Sequence, residues 1–505
     1  MNYLFKHKNI GIAAVVALMA MFTGCDLAEV NENPNEPSST QTPFLLTNAQ
    51  KDLADNYWGE FELGYFGNLY SQYWSQNQYT AESRYNYRDG VVNSTWADYY
   101  TSLNDLQEII RLNREFPEQY AAYGNNANQI AVAKILKAWT YQTLTDIWGS
   151  IPFEGEALQG RENPSPAYSS QEEVYRGIIT MLTEASDSIN VDAPGFTSGD
   201  VIYGEGPTNA SNMEQWRRFA NSLKMRAAIR IADRLPDLAA TAISEALAAG
   251  VMQSNEDNAL FVYLPNIPNA NPISEAYLER DDFAVSVPLI STLQANNDPR
   301  ISSYADTTES DEVDTYVGFP YGLAQGLAAA VPRDEFSRPS TLVRSATFPA
   351  IFMLYDEVLF IQAEAALRGF TSGDAAALYE QAIRASMEFW GVTDQAAIDA
   401  YIAANPLDQV NWRQSLGVQK WLAMYMQGIQ GWAEWRRLDF EGVLVPPESG
   451  KLAVTFPTPI AIRYPYPSDE YNLNEENVTT AVQNQGWDED DQGQFVWWDI
   501  GDTTP

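Results

Sequence analysis

The sequence predicts a mainly α protein, in which tetratricopeptide-like helix pairs form a scaffold that carries long irregular loops and minor β structure. Three observations point there: a capping box opening one amphipathic run, a nearly all-apolar run closed by Gly and Pro, and three helix–turn–helix pairs along the 505 residues.

In chain order, the first pair joins residues 98–116 to 126–148. The second arm of that pair is apolar almost all round (Ile130, Ile135, Leu136, Trp139, Leu144, Ile147) and stops at Gly149 with Pro152 beyond, so it is predicted to be a buried helix. Ser170-Gln-Glu-Glu173 opens the second pair, 171–190 with 213–235. One face of its first helix carries Val174, Ile178, Leu182, Ala185 and Ile189. Its second carries Trp216, Phe219, Leu223, Ala227 and Ile231 at helical spacing. The third pair is 352–369 with 375–390, turning at Gly369, and 412–430 is predicted as one further helix. Pairs of this size stack like tetratricopeptide units, although no 34-residue signature repeats. Long Pro/Gly/Asn-rich connections (191–212, 250–350 and 440–505) lie between them, and loops of that length in a folded protein usually carry function.

The N-terminus reads as an address. Lys6, His7 and Lys8 precede an apolar run from Ile10 to Phe22, too short for a bilayer core of roughly 30 Å. Thr23, Gly24 and Cys25 follow, so residues 1–24 are predicted to be a lipoprotein signal peptide and Cys25 the lipidated N-terminus. Residues 25–42, polar and rich in Pro and Asn, are expected to be a flexible tether. Residues 43–505 are then a single body.

Composition narrows the chemistry. Thirty Lys+Arg against 67 Asp+Glu give −37, or −39 once Lys6 and Lys8 leave with the signal. That field repels phosphate backbones, and no basic stripe relieves it, which excludes nucleic acid. The single cysteine, Cys25, permits no internal disulfide or thiolate zinc site, and the single histidine, His7, falls in the signal. A histidine-free body cannot run Ser-His-Asp or Cys-His chemistry, so only carboxylate, Lys, Tyr or Ser chemistry is left to an enzyme.

Fourteen aromatic residues crowd positions 57–100, interleaved with Gln72, Gln76, Asn77, Gln78 and Asn86. Flat rings beside amides suit a sugar, which needs stacking on its C–H face and partners for its hydroxyls. Tyr73, Trp74, Tyr79 and Trp96 are the candidate ligand-binding rings of this stretch. Phe319 and Tyr321, within Gly318-Phe-Pro-Tyr-Gly322, are the candidates in the central connection. A second reading stays open, because Phe66, Tyr70, Tyr73 and Trp74 are also spaced as a helical core stripe. Asp488-x-Asp490-x-Gln492-Gly493 with Asp499 has the spacing of a calcium loop. Gln at its fifth place and Asp at its twelfth make it an acidic surface turn, followed by a terminal strand at 495–498; no metal or cofactor is expected.

Several strings together resemble the SusD/RagB family of outer-membrane nutrient-binding lipoproteins, in its SusD-like second branch. They are Cys25 to Pro37, Pro43-Phe-Leu-Leu-Thr-Asn-Ala-Gln50, Ala133-Lys-Ile-Leu-Lys-Ala-Trp139 through Gly149 and Ile151-Pro-Phe, and Asn297-Asp-Pro-Arg300. Glu357 to Gly369, Trp432-Ala-Glu-Trp-Arg-Arg437 and Arg463-Tyr-Pro-Tyr-Pro467 through Asn477 complete the set. After Arg437 the family usually continues Thr-Gly-aromatic-Pro, where this chain has Leu438-Asp-Phe-Glu441.

The resemblance implies a non-catalytic, lipid-anchored protein of the outer membrane, facing the cell exterior. It implies partners too: a TonB-dependent barrel of the SusC type, outer-membrane lipid through acylated Cys25, and an oligosaccharide or polysaccharide ligand handed to the barrel. A RagB-like peptide binder and a secreted carboxylate glycosidase are the alternatives. The negative field places neutral glycans ahead of anionic ones, unless Arg84, Arg88, Arg333, Arg338 or Arg344 gathers to reverse the sign in one pocket.

Overall fold

The computed structural model describes residues 40–59, 66–310, 315–452 and 456–501. Helices α1 (Thr42–Trp58), α2 (Asp89–Glu115), α3 (Asn126–Trp148), α4 (Gln171–Ser188), α5 (Met213–Arg230) and α6 (Pro236–Ala249) follow one another, each packing on the next. Local chemistry fixes their starts. The Asn125 side chain accepts from Asn128 N, Ser170 and Glu173 form the full capping box, and the Asn212 side chain accepts from the Glu214 and Gln215 amides. Helix α3 ends at Gly149 with φ +90, a backbone conformation open to glycine.

Beyond α6 the connection 250–350 is not structureless. It holds β4 (Ala259–Phe261), α7 (Pro272–Glu279), β5 (Phe283–Val285) and α8 (Val287–Ala295), and ends in β6 (Ala350–Met353). Helices α9 (Tyr355–Leu367) and α10 (Ala375–Phe389) form the third predicted pair, and α9 also packs on α5. Helix α11 (Gln395–Ala404) follows. The single helix expected over 412–430 is two, α12 (Trp412–Ala423) and α13 (Gly428–Leu438), broken where Met426 takes φ +67. Helix α14 (Glu475–Asn484) lies in the C-terminal segment, and residues 495–498 are irregular rather than a strand.

Strands are few. Antiparallel β4–β6 pairs Ala259 with Met353, and a small hairpin joins β2 (Gly204–Glu205) to β3 (Ala210–Ser211). The pair that positions the site is β1 (Trp74–Gln76) on β5, with Trp74 opposite Val285 and Gln76 opposite Phe283. It lays the loop after β1 beside the loop before β5.

The interior is unusual for the charge it holds. Arg226 grips Glu357 with two hydrogen bonds of 2.7 and 2.5 Å. Arg437 does the same to Glu364 at 2.5 and 2.6 Å, and Lys420 lies 3.0 Å from Glu434. None of these side chains is more than marginally exposed. Burial opposes ionisation of Glu434, but Arg437, Lys420 and Arg230 outweigh it and hold the carboxyl well below the ordinary range. The Arg436 guanidinium lies between the Trp432 and Trp498 rings, 3.8 and 4.8 Å from their centroids. Asp439 caps α13 with φ +51, the left-handed conformation of the position where the family's usual continuation has glycine.

Candidate ligand-binding site

Five of the six aromatic candidates lie inside the protein. Tyr73 is fully buried, donates to the Trp421 carbonyl at 2.5 Å, and packs its ring on Trp421 at 4.9 Å. Trp74 is equally buried and donates from Nε1 to the Tyr425 hydroxyl at 3.1 Å. Trp96 is 6% exposed, its ring edge-on to Trp148. Phe319 is fully buried against Phe336, because backbone hydrogen bonds to Val285 and Val287 hold its segment against β5. Tyr321 is 2% exposed and reaches a surface only as one wall of a cavity. The physical reason is common to all five: rings of this size are worth most when sealed from water, and these find ring or polar partners inside. Two of the interleaved amides, Gln72 and Gln76, are used internally as well. Gln72 exchanges hydrogen bonds with the Val445 backbone, and Gln76 bonds Glu82 and the Ser83 amide.

Tyr79 is different. It is 55% exposed and sits with φ +51 on the loop leaving β1. That loop is pinned on both sides: Asn77 N donates to the Asp282 carbonyl at 2.9 Å, and Thr80 N to Gln325 Oε1 at 3.1 Å. One ring face is covered by the Arg280 guanidinium, 4.7 Å from the centroid. The cleft beside it, about 450 Å3, is walled by Gln78, Tyr79, Tyr277, Leu278, Arg280 and Arg333, among others. Leu278 is 73% exposed at the end of α7.

The cleft's charges are largely matched. Arg280 pairs with Asp282, Arg333 with Asp281, and Arg338 reaches Asp281 at 3.0 Å. The other loop arginines also have partners: Arg344 binds Asp306 at 2.6 Å, Arg88 binds Glu82, and Arg84 donates to the Ser449 and Gly450 carbonyls. The expected arginines therefore do not gather into a free cationic pocket. Of the residues at this cleft the sequence singles out Tyr79 and Gln78 but not Arg280 or Leu278, whose only signal is their place in a long connection.

A larger cavity, about 1020 Å3, lies elsewhere, between α8, Tyr321, Leu323, α12 and residues 441–448. The calcium-like string is engaged internally. Asp490 accepts from Arg463 at 2.5 Å, from Tyr466 N at 2.8 Å and from the Tyr471 hydroxyl at 2.9 Å. Among the described residues, no group of three or more His, Cys, Asp or Glu is placed to hold a metal ion.

Known proteins share this architecture. A SusD homolog from Bacteroides uniformis aligns at 26% identity with a TM-score of 0.77, over 91% of this chain and all of its own. A chitin-binding SusD homolog from Flavobacterium johnsoniae aligns at 26% and 0.75, over 90% of this chain and 99% of its own. A SusD homolog from Parabacteroides distasonis, 20% identical, shares the fold at 0.78, over 91% of this chain and 98% of its own. No curated protein matches the chain. The family model SusD-like_2, described as "Starch-binding associating with outer membrane", matches residues 34–467. This chain belongs to the SusD-like family.

Proposed function

We propose that this chain is a non-catalytic glycan-binding lipoprotein of the outer membrane's exterior face, which holds oligosaccharide on the Tyr79 surface and passes it to a TonB-dependent barrel of the SusC type. One observation carries the binding reading: an aromatic ring left half in water by a loop pinned at both ends, beside a cleft with amide and guanidinium groups. A ring held in place loses little entropy on stacking, so its contact area is available to a sugar face. The family description and the chitin-binding relative support a glycan as the ligand. Matched charges in the cleft support a neutral one.

Cys25 lies outside the described residues, and anchoring through it rests on the sequence alone. Among the described residues no helix is long and apolar enough to cross a membrane. Retardation of the purified chain in native gels containing neutral or anionic polysaccharide tests the ligand class. Slowing by a neutral glucan or chitin derivative is the expected result; oligosaccharide release attributable to the chain would overturn the non-catalytic reading. Co-purification with a barrel from gentle detergent extracts tests delivery, and its absence would count against it.

A further inference from the structure

A second cleft, about 480 Å3, lies on the C-terminal segment where α14 ends and residues 485–499 fold back over the start of α4. Its walls include the rings of Trp487, Phe495 and Trp497 and the side chains of Asn484, Gln494 and Asp499. Flat rings alternating with amides is the composition sought around Tyr79, and here the rings reach a surface. Phe495 is 38% exposed and Trp497 half-buried.

The rings are held firmly. The Trp487 ring lies 4.0 Å from the Arg463 guanidinium and donates from Nε1 to the Phe495 carbonyl at 3.0 Å. The Trp497 carbonyl accepts from Arg234 at 2.6 Å, and the next amide, Trp498 N, donates to Gln171 at 3.1 Å. Gly149 makes room for this: a Cβ there would collide with the Gln485 side chain that accepts from Ser150 N at 2.9 Å, and would crowd the Trp487 ring.

One polar group at the wall is unfulfilled. Asp499 is 2% exposed, and its Oδ1 accepts from Gly501 N at 3.2 Å. Its Oδ2 is buried with no hydrogen-bond partner. A buried carboxyl oxygen without a partner is costly, and a donor entering the cleft would relieve that cost.

We infer that this cleft is a second saccharide-binding site, taking a short stretch of neutral glycan whose C–H face lies on Trp497 and Phe495 and whose hydroxyls meet Asn484, Gln494 and Asp499. A hydroxyl both donates and accepts, so it can serve the amides and the carboxyl together. Of the charged groups at the rim, the exposed Glu173 and Arg234 offset each other, which suits a neutral sugar. No strand edge lines the cleft to pair with an extended peptide. The cleft's volume falls within the roughly 300–1,000 Å3 usual for small-ligand sites. The inference does not depend on the Tyr79 surface, which shares no residue with it.

Isothermal titration of the full-length chain with chitohexaose and with maltohexaose tests it. The expected result is that at least one probe shows a binding step weakened about tenfold by Trp497→Ala and by the exposed Asn484→Ala. Asn484→Ala should melt like the wild type, Trp497→Ala somewhat lower because its ring packs in part on the core, and Tyr79→Ala should leave that step intact. If Tyr79→Ala removes all binding while Trp497→Ala and Asn484→Ala bind as the wild type does, the second site is refuted and the Tyr79 reading stands. Loss of a step in the cleft variants alone upholds the second site and counts against Tyr79. Absence of binding by either probe overturns the inference.

Discussion

The interior formed by α5, α9, α12 and α13 and the surface around Tyr79 are built from the same chemistry, Arg–carboxylate pairs beside aromatic rings, yet they do opposite work. In the interior Glu364 is gripped by Arg437 and also bonds Arg368 at 2.8 Å, sealed from water. Near the surface the part-exposed Asp281 is shared by Arg333 and Arg338. A buried charge deprived of its partner is left uncompensated in a low dielectric, whereas an exposed one is taken up by solvent. The pairs lock the scaffold in the first place; in the second they leave a rim free to vary with ligand.

The comparison breaks if the two regions respond alike to truncation. Glu364→Ala should cost about 3–5 kcal/mol, read as a large drop in denaturant midpoint, because it removes the buried carboxylate that two arginines share and leaves Arg437 only Glu434 and Arg368 only Asp233. Asp281→Ala should cost no more than about 1 kcal/mol. Trp74→Ala belongs with the interior, at about 3–5 kcal/mol, since it opens a cavity beside Tyr425 and Phe283. A Trp74→Ala variant with unchanged stability and lost glycan binding would restore Trp74 as a ligand contact.

A pH experiment sharpens the comparison at its interior end. Burial lifts the carboxyls of Asp356 and Asp499 to about 7, against an ordinary value of 3.8. For Asp356, a hydrogen bond with Ser386 opposes the shift and the Glu357 charge adds to it. The native state therefore keeps a proton that the unfolded chain has lost between about pH 4 and 7, so stability falls as pH rises through that window. The slope should approach about 1.4 kcal/mol per pH unit for each such group. The only histidine is at position 7, outside the described residues, so the other groups that burial shifts upward in this window are carboxyls, Asp52, Asp98 and Asp105. Asp356→Asn should flatten the fall measured between pH 5 and 8; an unchanged profile would mean that Asp356 is ionised in the fold.

How far the sequence could be read follows from the same contrast. Helices α3, α4, α5, α9 and α10 announced themselves through caps, apolar spacing and stops, all of which act within a few residues. The break at Met426 did not, because its left-handed turn answers to packing: Gly428 at the start of α13 touches the Gly67 and Asn68 backbone. Which ring faces water was equally hidden. Tyr73 and Tyr79 stand in one aromatic, amide-rich stretch, and the antiparallel pairing of β1 with distant β5 buries one and projects the other. Residues 495–498 carry only the local pattern of a strand, since nothing local shows that the chain after α14 folds them into a cleft.

Gly428→Ala probes the seam between the two regions. Its new methyl would press on the backbone of Gly67 and Asn68, which cannot rotate away, so a loss of about 1–3 kcal/mol is expected despite alanine's better helix propensity. A gain in stability would show that the 66–73 segment shifts freely against α13.

The smallest effect on stability, and the one that defines the surface, belongs to Tyr79. Tyr79→Ala removes a ring that rests on Arg280 and solvent, so it should move the denaturant midpoint by no more than about 0.5 kcal/mol. On the binding side it should weaken a neutral oligosaccharide about tenfold, since stacked-ring contacts are worth about 0.5–1.5 kcal/mol beyond their buried area. Tyr79→Phe separates ring from hydroxyl: if stacking supplies the affinity, Phe should bind within about twofold of Tyr, and added salt should change neither. Affinity that survives Tyr79→Ala but collapses with salt would place the ligand on the arginines instead, and would make it an anion.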